Sequence, residues 1–124
     1  PLVSYGYLAT RLKLLRVGHL HVYDQEGSWI HDRQGDLLPH LRACFPGTMI
    51  LCGGFDHERA EAALRAGSGD LIAFGRHFIA NPDLVQRLRI GAPLAPWNST
   101  TIYKGGAKGY IDYPSLDAAA VTAA

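Results

Sequence analysis

The fold is decided by the stretch from Thr48 to Asp56, which reads Thr-Met-Ile-Leu-Cys-Gly-Gly-Phe-Asp. Its first five residues do not alternate between apolar and polar, which is typical of a parallel strand covered on both faces. Two glycines then turn the chain, and Asp56 is suited to cap a helix. The stretch therefore predicts a β-strand that runs through a glycine corner into an α-helix.

The same pattern recurs further along the chain. In the helix after Asp56 we expect a buried stripe of Ala60, Ala63 and Leu64 and a left-handed stop at Gly67. Leu71 to Phe74 is the next apolar strand, and it meets Gly75-Arg76. Asn81 is then predicted to be the N-cap of a helix, with a proline at the first helical position and an end before Gly91.

Earlier elements complete the series. A helix from Tyr5 to Leu15 would place Leu8, Leu12 and Leu15 on one face and stop at Gly18. His19 to Tyr23 reads as a strand. A helix is predicted from Leu37 to Phe45, with Pro39 in its first turn.

Regular alternation of strands and helices predicts an α/β fold with about three parallel strands and flanking helices. Three such strands alone leave two edges unpaired and one face uncovered. A (β/α)8 TIM barrel needs about 250 residues, so 124 residues would form an incomplete barrel. We expect a single partial domain over residues 1–124, with strand–helix units in 1–91 and an irregular loop and tail, rich in aromatic residues and glycine, in 92–124.

Two glycine corners form a candidate anion site. Gly53-Gly54 and Gly75-Arg76 each join a strand to a helix N-terminus, where backbone N–H groups and the helix dipole favour a phosphate. Arg76 adds a guanidinium that suits a dianion. The alternative is that the glycines only turn tight corners and that Arg76 is a solvated surface charge.

Composition excludes several classes of protein. Twelve Lys and Arg against eleven Asp and Glu give a net charge of +1 with interspersed signs, so we expect no nucleic-acid partner. No apolar run approaches the ~20 residues of a membrane span. The two cysteines imply neither a disulfide framework nor a zinc motif. These features indicate a soluble chain, and we expect a cytoplasmic one.

The glycine corners belong to longer motifs that resemble one family. The segment Gly53-Gly54-Phe55-Asp56, the run Phe-Gly-Arg-His-Phe-Ile-Ala-Asn-Pro-Asp-Leu at residues 74–84, and the ending Gly-Tyr-Ile-Asp-Tyr-Pro at residues 109–114 resemble Old Yellow Enzyme family ene-reductases. The likeness covers nearly the whole chain and corresponds to the C-terminal part of such a protein.

The resemblance implies a barrel that carries FMN, which NAD(P)H reduces and an activated alkene such as an enone, a maleimide or a nitro compound reoxidises. It implies that Gly53, Gly54, Gly75 and Arg76 hold the FMN phosphate and that Tyr103 borders the substrate pocket. The substrate-binding His pair or His/Asn pair and the proton-donating Tyr of the family precede this region. We therefore expect activity only with the N-terminal half of the barrel, in the same chain or another.

Other interpretations remain open. The chain could be a non-catalytic truncated fragment that packs against a partner or binds a phosphate compound weakly, or part of a different phosphate-binding barrel. A zinc site built from His19 and His21 with His57 or His77 is less favoured, because strand histidines are more often packed and hydrogen-bonded. The basic, glycine-rich stretch after Tyr103 is too isolated to predict nucleic-acid binding.

Overall fold

The computed structural model of the protein describes residues 2–23 and 34–116, which fall into two compact units that divide after Ala73. The first unit contains α1 (Leu2–Leu14), β1 (His19–Tyr23), α2 (Gln34–Cys44), β2 (Thr48–Cys52), α3 (His57–Arg65) and β3 (Leu71–Ala73). The second contains α4 (Arg76–Ala80) and α5 (Leu84–Ile90), followed by turns and irregular backbone. The predicted tail beyond residue 116 lies outside the described residues.

Three parallel strands form the sheet of the first unit, in the order β1-β2-β3. The register sets His21 opposite Ile50 and Ile50 opposite Leu71. The bounds of β1 and β2 are those that the sequence predicts, and β3 ends one residue early, at Ala73. The predicted parallel α/β sheet is therefore confirmed.

Within the described residues of the first unit, one face of this sheet is covered and the other is largely open. Met49 and Leu51 of β2 are buried against α1 and α2 in a core cluster that consists of Ala9, Leu37, Leu41, Phe45, Met49 and Leu51. On the other face, His19, His21, Tyr23, Thr48 and Leu71 are exposed. The expectation that β2 is covered on both faces is wrong for the described residues, while the predicted uncovered face is confirmed.

Helix α1 packs through its small side chains. Gly6 and Ala9 are buried, and a Cβ at Gly6 would collide with the imidazole of His40. Leu8 and Leu15, which the sequence placed on the packed face together with Leu12, are 51% and 71% exposed. Leu12 packs against the core as predicted, but the prediction fails for Leu8 and Leu15. Helices α1 and α2 meet where α1 carries Gly6 and Ala9, so these two larger leucines lie outside the contact.

The end of α1 also differs from the prediction. Arg16, and not Gly18, adopts the left-handed conformation, with φ of 57°. The N–H of Arg16 donates to the carbonyl of Lys13, and that of Val17 donates to Leu12, which is the hydrogen-bond pattern of a Schellman motif. Arginine can occupy this position because the motif satisfies carbonyls that would otherwise lack partners.

Helix α3 begins and ends as predicted. The carboxylate of Asp56 accepts a 2.8 Å hydrogen bond from the N–H of Arg59, and Gly67, with φ of 70°, closes the C-terminal end. Of the predicted stripe, Ala60 is buried and Ala63 is half-buried, but Leu64 is 37% exposed.

Two further details of the helices differ from what the sequence predicts. Helix α2 begins three residues before the predicted start, so Pro39 lies in its second turn. Asn81 is not an N-cap, because Asp83 occupies that position in α5. The side chain of Asn81 instead bonds to the loop beyond the helix, as described below. The predicted end of this helix before Gly91 is confirmed, and Gly91 adopts a left-handed conformation with φ of 66°.

Asp70 fastens the start of β3 to β2. Its carboxylate accepts hydrogen bonds from the N–H of Met49 and the guanidinium of Arg42, each 2.8 Å long, and its own N–H donates to the Met49 carbonyl. The bond from the Met49 N–H, together with Arg42, holds the pKa of Asp70 below its ordinary value. These contacts fix the two strands in register.

In the second unit, an ion pair ties α5 to the chain that follows it. Arg87 and Asp83 are almost completely buried and lie 2.8 Å apart. Arg87 also donates to the carbonyls of Pro93 and Pro114, and Asp83 accepts from the N–H of Leu116. The backbone bond from Leu116 and the Arg87 guanidinium lower the pKa of Asp83. The irregular segment is thus anchored at both ends.

Within the described residues, none of the helices combines the length and the apolar character that crossing a membrane requires.

Candidate functional site

The first glycine corner follows β2. Gly53 and Gly54 have φ of 124° and 58°, in the region of backbone conformation that residues with a Cβ rarely adopt. The chain then enters α3 through its Asp56 cap. The backbone of this corner therefore favours glycine at both positions, most strongly at Gly53, whatever the corner binds.

Arg59 supports this corner and was not among the residues predicted from the sequence. Its guanidinium donates a 2.6 Å hydrogen bond to the carbonyl of Gly54 and lies 5.7 Å from the centre of the Phe55 ring. Arg59 is exposed, so the corner carries a positive charge at the start of α3. A cation in the first turn after a helix cap is the sequence signal that could have identified it.

Strands β2 and β3 end at the same edge of the sheet. Their register pairs Cys52 with Ala73, the last residue of each strand. Gly53 directly follows Cys52, and Gly75 follows Ala73 by two residues. Parallel pairing therefore makes the chain leave both strands on the same side of the sheet.

Gly75 begins the second corner, and its geometry differs from that of the first. It is the N-cap of α4 with φ of −94°, so no left-handed backbone requires glycine there. No described atom lies within 4 Å of the position that a Cβ would take. The space in front of Gly75 is open to a ligand on the side that a side chain would fill.

Arg76 is the first residue of α4 and is exposed. Its guanidinium carbon lies 4.8 Å from the centre of the Trp97 ring. Among the described residues, the ion pairs are Arg42–Asp70, Arg65–Glu61 and Arg87–Asp83, so no carboxylate there neutralises Arg76. Its charge is therefore available to an anionic ligand.

Tyr103 lies in the irregular segment of the second unit and is 72% exposed. It stands in a turn in which the N–H of Lys104 donates to the carbonyl of Thr101, and Gly105 and Gly106 follow with positive φ. Gly109 packs against Thr101. The ring and hydroxyl of Tyr103 are thus open to contact with a small molecule.

Metal ligation has little support in the part of the chain that the structure describes. No group of three or more His, Cys, Asp or Glu side chains comes together there in a way that could hold a metal ion. His19 and His21 lie on the uncovered face of β1.

Comparison with known proteins gives consistent likenesses. The family described as NADH:flavin oxidoreductase / NADH oxidase matches residues 9–95. A 12-oxophytodienoate reductase-like protein of Solanum lycopersicum is 40% identical over 114 residues, which cover 91% of this chain and 31% of the relative. Putative 12-oxophytodienoate reductase 4 of Oryza sativa subsp. japonica is 49% identical over 82 residues, which cover 65% of this chain and 21% of that protein.

Solved structures give the same result. Morphinone reductase in complex with tetrahydroNAD matches with a TM-score of 0.84 and 39% identity, over 94% of this chain and 31% of that one. The old yellow enzyme from Trypanosoma cruzi matches with a TM-score of 0.82 and 34% identity, over 94% and 30%. The chain thus spans about a third of the length of these proteins. The predicted fold class, a portion of a (β/α)8 barrel with three parallel strands, is confirmed.

Proposed function

The chain belongs to the NADH:flavin oxidoreductase / NADH oxidase family, which includes the old yellow enzymes, and on this basis we propose that it is the FMN-phosphate-binding segment of a flavin-dependent oxidoreductase. The proposed reaction is the reduction of activated alkenes, such as enones, maleimides and nitro compounds, by NAD(P)H. We further propose that the segment requires the N-terminal part of the barrel for activity, in the same or another chain.

The observation that carries the proposal is the open, positively charged corner at Gly75 and Arg76. A Cβ at Gly75 would fill empty space, and the Arg76 guanidinium has no carboxylate partner among the described residues. Phosphate oxygens are suited to such a place because a guanidinium and N–H groups at the start of a helix both donate to them. Gly53 and Gly54 are proposed to contribute backbone N–H groups from the neighbouring strand end.

Each residue has a separate proposed role. FMN, when bound, would supply the hydride chemistry, which its isoalloxazine ring performs in flavoenzymes. Arg76 would balance the charge of the phosphate, and the glycines would let the backbone approach it closely. Tyr103 would border the substrate pocket, where an aromatic ring with a polar tip can lie against an enone and still hydrogen-bond.

The test is a titration of the full chain with FMN, followed by flavin fluorescence, for the unmodified chain and for the variants Arg76→Met and Gly75→Val. Hydrogen bonds to charged groups contribute about 1.5–3 kcal/mol, so Arg76→Met should weaken FMN binding roughly 10- to 100-fold. Gly75→Val should weaken it as well, because a Cβ there would fill the open space in front of Gly75. Leu64→Met serves as a control on the helix away from the corners.

Activity is tested in a chimera in which this chain replaces the matching 114 residues of the tomato relative. The chimera should hold FMN, lose its yellow absorbance with NADPH under anaerobic conditions and recover it when an enone is added. A chimera that folds but remains colourless would contradict the proposal. It would favour the alternative, a non-catalytic fragment that packs against a partner.

A further inference from the structure

One aromatic side chain in the second unit contacts two consecutive residues of α4. The Trp97 ring lies 4.8 Å from the guanidinium carbon of Arg76, and its centre lies 5.0 Å from that of the His77 ring, at an interplanar angle of 83°. The first contact has cation–π geometry, and the second is an edge-to-face contact. Trp97 therefore contacts the side chain proposed to bind phosphate.

The backbone near Trp97 is itself fixed. The side chain of Asn81, which is fully buried, donates to the carbonyls of His77 and Ala95 at 2.9 and 3.2 Å and accepts from the N–H of Ala95 at 2.8 Å. These bonds tie the loop two residues before Trp97 to the end of α4. The indole thus has a defined place before any ligand arrives.

This arrangement matters because arginine has many rotamers. An exposed arginine loses rotamer freedom when it binds an anion, and that loss lowers affinity. A cation–π contact restricts the guanidinium in advance and uses no N–H donor, so the donors remain available for phosphate oxygens.

We propose that Trp97 is a positioning residue for the phosphate: it holds the Arg76 guanidinium in place through its ring face, and the loop held by Asn81 keeps the ring there. The proposal rests on the proposed function of Arg76. It predicts that Trp97 contributes to the affinity for flavins that carry a phosphate and not to the affinity for riboflavin, which lacks one.

The test is a double-mutant cycle on the full chain, with FMN and riboflavin as ligands and flavin fluorescence as the readout. Trp97→Leu should weaken FMN binding about five-fold, in the range of exposed cation–π contacts. The same change should have no effect in an Arg76→Met background, and riboflavin binding should be unchanged. Trp97→Tyr, which retains an aromatic face, should recover most of the FMN affinity.

The outcomes separate the two proposals. If Arg76→Met leaves FMN binding unchanged, or if the unmodified chain and the chimera both fail to bind FMN, the proposed phosphate site is wrong and the positioning role falls with it. If Arg76→Met weakens FMN binding but Trp97→Leu does not, only the positioning role is overturned. Trp97→Leu could also reduce FMN affinity equally with and without Arg76, or reduce the affinities for FMN and riboflavin equally. Either result would indicate that Trp97 only packs the loop, and it would overturn the positioning role.

A second measurement needs no ligand. The chain has two tryptophans, so Trp29→Phe leaves Trp97 as the single indole. In that background, Arg76→Met should shift the emission of Trp97 and reduce its quenching by iodide, because a cation next to the ring is removed. Unchanged emission and quenching would show that the two side chains do not meet in solution and would overturn the proposal.

Discussion

Arg16 ends helix α1 in a conformation that favours glycine. Its φ of 57° places Cβ close to the following carbonyl, at a cost of roughly 1 kcal/mol or more. We expect Arg16→Gly to raise the free energy of unfolding by about 0.5 kcal/mol, since the greater freedom of glycine in the unfolded chain offsets part of the gain. Urea denaturation measures the change. Gly18→Ala is the matched control, because a Cβ there meets no described atom. If both variants raised the free energy of unfolding equally, Arg16 would not be the residue that ends α1.

Asp70 should make the stability of the first unit depend on pH. Its pKa is lowered in the folded chain by the Met49 N–H and by Arg42, so the unfolded chain binds the proton more readily. The stabilisation is complete above the ordinary aspartate value of about 4 and is lost as the pH falls through the lowered folded value. Asp70→Asn should therefore lower the urea midpoint at pH 7. The difference in urea midpoint between this variant and the unmodified chain should become smaller at acidic pH.

Urea titrations between pH 2.5 and 7 measure this dependence. Glu61→Gln is the control, since Glu61 is exposed and its ion pair with Arg65 spans 3.7 Å. The role of the carboxylate would be contradicted if the difference in urea midpoint between the Asp70→Asn chain and the unmodified chain stayed constant down to pH 2.5.

Among the elements, strands were predicted more accurately than helix packing. The bounds of β1 and β2 were predicted to the residue because breaks in the sequence pattern flank both strands. β1 lies between Gly18 and the polar run that begins at Asp24, and the apolar run of β2 lies between Gly47 and Gly53. The packed face of α1 was not predictable in the same way. Its spacing of leucines satisfied a helical stripe, but the close approach to His40 depends on Gly6, which a scale of hydrophobicity does not mark.

The candidate site was predicted in part for a similar reason. Glycine corners and Arg76 could be identified because strand, glycine and helix follow one another along the chain. Arg59 and Trp97 were not, because their contacts with Gly54 and Arg76 depend on side-chain direction in three dimensions. Asn81 was assigned to the wrong role, since an Asn-Pro-Asp sequence resembles a cap whether or not its amide bonds to a distant loop.

The link between α4 and the loop that carries Trp97 can be tested through Asn81. Asn81→Ala removes three hydrogen bonds and leaves the half-buried N–H and carbonyl of Ala95 without that partner, at a cost of about 2–3 kcal/mol. We expect a lower urea midpoint and faster proteolysis within residues 92–97. Asn98→Ala, at an exposed asparagine in the same unit, is the control and should cost less than 1 kcal/mol. If Asn81→Ala and Asn98→Ala lowered the urea midpoint equally, Asn81 would not anchor the loop that carries Trp97.

For the whole molecule, the uncovered sheet face is the feature that links fold to function. The leucine at the start of β3, Leu71, is 54% exposed and pairs with Ile50 in the middle strand. Exposed apolar sheet faces favour association and binding of hydrophobic dyes. This chain matches about a third of the length of the similar solved structures. We therefore propose that the remainder of a barrel covers this face.

Leu71→Glu should therefore have opposite effects in two contexts. In the lone chain it places a charge on the open face, so it should reduce binding of the dye ANS and reduce aggregation without lowering the urea midpoint. In the chimera with the tomato relative, the same carboxylate would be buried inside the barrel, and FMN retention should be lost because burying an unpaired charge is costly. Ala62→Glu, at an exposed position on α3, should change neither property. A Leu71→Glu chimera that kept its FMN would mean that this face is not the interior of a completed barrel.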